Sequence, residues 1–129
     1  MKFTIPIPPR SKKNHGQIIT VHGRPMMLPS KQYLAYEKEC GKYLAGIVEE
    51  TIDCPINIKA IFYMDTHRKV DLVNLEQALC DVLVKHKVIK DDNNTIVVSM
   101  DGSRVGYDRE SSRTEVEITA VAASEHWNS

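Results

Sequence analysis

The chain has 129 residues, 42% of them hydrophobic and 26% charged, and its 17 basic side chains balance 17 acidic ones. That length suits a single domain, large enough to bury about two-thirds of its unfolded surface without disulfides or a structural metal, and no apolar run approaches the ~20 residues of a membrane span. Zero net charge excludes whole-molecule attraction to nucleic acid, so binding of that kind has to come from local clusters.

In chain order, residues 3–7 alternate Phe3, Ile5 and Ile7 on one face, which predicts a short strand with Pro6 at an edge or strand end. The opening residues lack the apolar core and cleavage site of a signal peptide, so the expected compartment is the cytoplasm. Residues 8–16, PPRSKKNHG, form a basic loop carrying Lys12 and Lys13. Residues 17–21 predict a second strand before the turn at Gly23, and the two strands together suit a hairpin or a basic flap.

Ser30 is placed to cap a helix in which Tyr33, Tyr36, Cys40, Tyr43, Leu44 and Ile47 recur at helical spacing to about residue 50. Residues 56–64 alternate Ile56, Ile58, Ala60, Phe62 and Met64; Ile61 and Tyr63 on the other face mark a central strand. A second helix is predicted over about 72–86, with Leu72, Leu75, Leu79, Val82, Leu83 and His86 as its apolar stripe. Its opposite stripe, Asn74, Ala78, Asp81 and Lys85, reads as small and polar. Residues 95–100 look like a strand, 101–112 like a long polar and mobile loop, and the segment from Thr114 to Val121 like a last strand before a frayed tail at 123–129. The expected fold is one α+β (mixed α/β) domain, order β-β-α-β-α-β-β, with a mixed sheet of about five strands and two main helices.

The chemistry concentrates between His67 and Asn94, where a basic His67-Arg68-Lys69 run, a helix bearing spaced carboxylates and an Asp91-Asp92-Asn93-Asn94 turn follow one another. If the strands at 56–64 and 95–100 are neighbours, the loops carrying Asp71 and Asp91/Asp92 open at one sheet edge. Magnesium needs hard oxygens from one or two carboxylates, completed by water and substrate phosphate. The same residues also suit a solvated helix, with Asp71 as its cap and an ordinary turn after it.

The three cysteines, Cys40, Cys54 and Cys80, are odd in number and set among apolar neighbours, as reduced buried thiols would be. No zinc spacing, phosphate-binding glycine loop or GxSxG elbow occurs, and Trp127 lies in the tail.

At these residues the chain resembles the RusA-like family of Holliday junction resolvases, small magnesium-dependent endonucleases found largely in phages and prophages. The pattern is carried by the basic run at 67–69, the helix start Asp71-Leu-Val-Asn-Leu75, Asp81 within the helix, and the Asp91-Asp92 turn before a strand. The proline-bearing first strand, the tyrosine-containing first helix and the strand at 56–64 fall in the family's order. The resemblance implies an endodeoxyribonuclease acting as a homodimer on four-way junctions, with Mg2+ or Mn2+. It implies Asp71, Asp81 and Asp92 as the catalytic carboxylates, Asp71 and Asp92 holding the metal with Asp91 beside them. Lys12, Lys13, Arg68, Lys69 and Lys85 are the expected DNA contacts, with Arg10, Arg24 and Lys87 as lesser ones. Two positions depart from the family: Val73 stands where a second aspartate is usual, and Gln77 where a lysine often follows. The alternative expectation is therefore a junction-binding module of the same fold with weakened or lost catalysis.

Overall fold

A computed structural model describes residues 1–12 and 17–122, with residue 17 described by its backbone only. Its elements are β1 (Lys2–Ile5), β2 (Gln17–Val21), β3 (Arg24–Leu28), α1 (Lys31–Leu44), β4 (Ile56–Met64), α2 (Leu72–Lys85), β5 (Val97–Ser99), β6 (Arg104–Tyr107) and β7 (Arg113–Ala120). The main sheet runs β1-β7-β4-β5, with β6 also paired to β4. β1, β7 and β4 are antiparallel neighbours, whereas β5 and β6 lie parallel to β4 at its start and its end. The expected α+β class, mixed five-stranded sheet and two helices are all present. Lys13 and the tail at 123–129 lie outside the described residues.

The strand at 56–64 is central, as its two apolar faces predict. Ile56, Ile58, Ala60 and Phe62 are buried toward the helices, and Ile61 is buried on the opposite face. One hydrophobic cluster joins Ile5, Val116 and Ile118 of the sheet to Tyr33, Tyr36, Cys40 and Leu44 of α1 and to Leu75, Leu79, Val82 and Leu83 of α2. The Ser30 cap is made as expected: its hydroxyl accepts from the Tyr33 N–H at 3.1 Å.

Several expectations are corrected. β2 pairs with β3, not with the first strand, because His22 and Gly23 adopt positive φ (51° and 76°), the turn geometry that sends a hairpin straight back on itself. β1 is instead the edge partner of β7. α1 stops at Leu44, short of residue 50, the chain turning at Gly46 with φ of 76°. The segment at 101–112 is not simply a loop, since β6 docks parallel to the second half of β4 with Gly106 against the Tyr63 ring. Ala78 and Cys80 of α2 are buried, so the helix covers more than one stripe. Cys54 is exposed, while Cys40 and Cys80 are buried; all three are free thiols.

Candidate functional site

The β4–α2–β5 unit supplies the residues in question. β4 exits through Asp65, on which the Arg10 guanidinium closes as a fork at 3.0 and 3.2 Å, tying the N-terminal loop to the strand's end. This Arg10 contact holds the Asp65 carboxyl below the usual range. Beyond it the His67 ring stacks on Tyr107 at 3.7 Å between centroids, a contact that joins the basic run to β6. Arg68 and Lys69 are exposed, and among the described residues neither has an ion-pair partner. They line a groove with Arg10, Ser11, Gln32 and Val70.

Asp71 occupies the N-cap position of α2, but its carboxylate bonds none of the helix N–H groups; it accepts from Asn74 Nδ2 at 3.2 Å. It is exposed at the positive end of the helix dipole, an anion in a favourable place. Val73, the second residue of the helix, is 70% exposed. Lys12 reaches down this face, lining a small pocket with Asn74, Gln77 and Ala78 and placing Nζ 2.8 Å from Asp81 Oδ2. Its ammonium also stands 5.5 Å from the centre of the Tyr33 ring.

The Asp91–Asp92 loop folds back along α2 because its flanks are buried and bonded. Val88, Ile89 and Ile96 enter the core, and Ile52 pairs with Ile89 through the Ile52 N–H to Val88 carbonyl bond and the Lys90 N–H to Ile52 carbonyl bond. Both oxygens of Asp91 serve the turn: Oδ1 accepts the Asp92 N–H at 2.7 Å and Oδ2 accepts from Asn93 at 3.1 Å. Asp92 lies at the surface, yet partial loss of water raises its pKa, and its hydrogen bond with the Asp91 side chain and the charge of Asp81 push the same way. Burial lifts the Cys80 thiol to about 12, helped by the carboxylates of Asp92, Asp81 and Glu76. Glu76 is itself raised by burial.

Asp81, Asp91 and Asp92 therefore share one neighbourhood. Asp71 starts the helix whose third turn carries Asp81, so ten residues or ~15 Å of axis separate the two. Among the described residues, no group of three or more histidine, cysteine or acidic side chains is close enough to hold a metal ion. Lys85, expected to meet DNA, is bonded at 2.7 Å to Glu37, whose other oxygen accepts from the Tyr33 hydroxyl at 3.1 Å. Sequence reasoning missed Glu37, Glu76 and the His67–Tyr107 pair. Only the spacing of Glu76 before Cys80, one helical turn, was visible in advance.

With this geometry, the chain matches the family model for endodeoxyribonuclease RusA over residues 6–119. The chain belongs to the RusA endodeoxyribonuclease family. No curated protein matches it. Membership supports a nuclease of the Holliday junction resolvase type that binds branched DNA, and none of the described helices is long and apolar enough to cross a membrane. The RusA match spans β2 through nearly all of β7, so the hairpin, both helices and the acidic loop all fall within it.

Proposed function

We propose that this RusA-family protein hydrolyses phosphodiesters at four-way junctions or related branched DNA, as a magnesium-dependent homodimer acting in the cytoplasm. The observation that supports the reading is that Asp92, in the loop folded back along α2, feels the charges of Asp81 and Asp91 and holds its proton more tightly than an ordinary carboxyl. Like charges at this spacing are costly until a cation joins them.

Carboxylate oxygens are the donors a hard divalent ion takes, and since no three acids among the described residues stand close enough to hold one by themselves, water and substrate phosphate would have to supply the other positions. The family resemblance assigns Asp71 and Asp92 to hold the ion, with Asp81 in support and Asp91 fixing the turn, although ~15 Å of helix axis separates Asp71 from Asp81 within one chain. Such an ion supplies polarisation of the phosphodiester and a lowered pKa for the attacking water. The chain's own part is to bind and orient. Arg68 and Lys69, without acidic partners among the described residues, seat phosphates beside Asp71, and Lys12 stands as the internal counter-ion of Asp81. When DNA and metal arrive, Lys12 can pass from Asp81 to a phosphate without leaving this face. Lys85 serves DNA only at the expense of its bond to Glu37.

A second reading has its own observation. Val73 and Gln77 are exposed on the very helix face in question and bring neither carboxylate nor ammonium to it. A junction-binding module with weakened chemistry would look like this.

The test is a nicking assay on a synthetic four-way junction in Mg2+ and in Mn2+. Wild type is expected to cut, and Asp71→Asn or Asp92→Asn to stop cutting while keeping junction affinity. Binding without nicking in either metal, indifferent to Asp92→Asn, would establish the module instead.

A further inference from the structure

The zero net charge conceals an uneven order of charges along the sequence. Six bases (Lys2, Arg10, Lys12, Lys13, Arg24 and Lys31) precede the first acid, Glu37, which leaves the 17 acids of the chain facing the bases that remain. The β2–β3 hairpin lies inside that acid-free stretch. It forms a two-stranded sheet of its own, with no other strand beside it among the described residues. Each strand has five residues, an arm of about 17 Å.

The register sets Ile18 directly opposite Met27, so both side chains leave the same face of the ribbon. They are 72% and 68% exposed, the most open large apolar side chains of the described chain apart from Val73 at 70%. Met26, paired with Ile19 on the other face, is 48% exposed. A two-stranded hairpin is marginal by itself in water, and an apolar cross-strand pair held out in solvent adds only about 0.2–1 kcal/mol to it. Arg24, exposed beside the turn, gives the tip a positive charge, and His22 in the turn carries no negative one.

The arm is rooted at the candidate site. One strand begins five positions after Lys12, which is bonded to Asp81. The other ends five positions before Tyr33, whose ring lies beneath Lys12. We propose that the β2–β3 hairpin is a wedge for branched DNA, with Ile18 and Met27 packing against bases unstacked at the branch point while Arg24 at the tip meets a flanking phosphate. The inference rests on the junction-nuclease reading and adds how the branch is told from plain duplex. Isoleucine and methionine are among the side chains that enter between base steps. A two-stranded ribbon also fits a DNA groove. A segment without acids suits a polyanion, and an arm of this length spans about five base pairs at 3.4 Å each.

The experiment uses the full chain in a chelator, so that no strand is cut. It is titrated into a four-way junction carrying 2-aminopurine next to the branch, and into a linear duplex of the same sequence. Wild type is expected to raise the 2-aminopurine fluorescence on the junction. The Ile18→Ala/Met27→Ala variant should lose that rise and about tenfold of its preference for junction over duplex, with duplex affinity unchanged. Ile18→Leu/Met27→Leu, which keeps the apolar bulk, should behave as wild type and shows that loss in the alanine variant is not misfolding. Arg24→Ala should lower the salt slope of binding by about one for both DNAs. A fluorescence rise that survives the alanine pair overturns the wedge, as does a fall from dimer to monomer in sedimentation, which would make the arm a contact between subunits. Should wild type nick junctions in magnesium without any fluorescence rise, the wedge fails and the nuclease reading stands; a chain that binds no junction removes both.

Discussion

Val73 offers a direct way to ask whether the start of α2 is a metal site. As the second residue of α2 it is 70% exposed, so replacing it forfeits little packing. Full burial of a valine is worth about 1.5–3 kcal/mol, and the small covered fraction here puts the loss at roughly 0.5–1 kcal/mol. An aspartate in the first turn recovers about 0.3–1 kcal/mol from the helix dipole, and valine and aspartate differ little in helix propensity. Repulsion from exposed Asp71 is screened and small. Without divalent ions, Val73→Asp should therefore stay within ~0.5 kcal/mol of wild type, about 2 °C in Tm for a chain of this size.

With magnesium the balance changes. If the new carboxylate tightens metal binding about tenfold, saturating magnesium adds about 1.4 kcal/mol of stability, a rise in Tm of roughly 5 °C over wild type under the same conditions. Thermal unfolding with chelator and then with a magnesium series gives both numbers, and junction nicking measured beside it should quicken. Equal magnesium shifts in the two proteins would refute metal binding at this turn. A drop of several degrees in chelator would instead mean that Val73 packs against something in solution.

Asp92→Asn should be more stable than wild type at neutral pH in chelator and equal to it below the ordinary aspartate pKa of 3.8, because a raised folded pKa means that ionising Asp92 costs stability as pH rises; urea unfolding at both pH values checks the crossover, and magnesium should narrow the neutral-pH gap. Arg10→Ala should cost up to about 1 kcal/mol near pH 7, and since Asp65 is held below its usual range by that guanidinium, the difference from wild type should fade as pH drops through the carboxylate range. Gly41→Ala would place a methyl 2.8 Å from His86 Cε1, pushing the ring off the Glu37 carbonyl that its Nε2 meets at 2.8 Å; despite alanine's better helix propensity, a net loss of about 1–2 kcal/mol is expected in a thermal melt, and His86→Ala in the same chain should relieve the clash.

What could be read from the sequence tracks the range of the interactions involved. β4 and α2 were legible because their burial repeats every two or every three to four residues, a signal held within one element. β6 was hidden because Arg-Val-Gly-Tyr becomes a strand only through pairing with residues some 43 positions earlier, Ile61 with Arg104. β3 was masked by Pro25, which is tolerated because the hairpin has no further strand to receive an N–H. At the site, the carboxylates were recognisable as types but their grouping was not. Asp92 reaches the Asp81 turn because residues 88–90 bond back to Ile52, a contact no local pattern encodes. For the same reason Lys12 and Lys85 read as free cations, although each has a carboxylate partner distant in sequence.

Those partners bear on how a neutral protein can hold a polyanion. Arg10, Lys12 and Lys85 are each matched by an acid on the same molecule, so in the free chain they add little long-range field. Arg68 and Lys69 remain unmatched among the described residues and sit just before Asp71, so on the proposed reading first attraction to DNA would fall to them and to Arg24 of the hairpin. On the proposed reading, a divalent ion near Asp81 would release Lys12, whose ammonium lines the small pocket with Asn74, Gln77 and Ala78, to meet a phosphate. Metal binding and phosphate binding would then assist each other through one exchangeable ion pair: each unpaired charge created by one event would be the binding partner for the other.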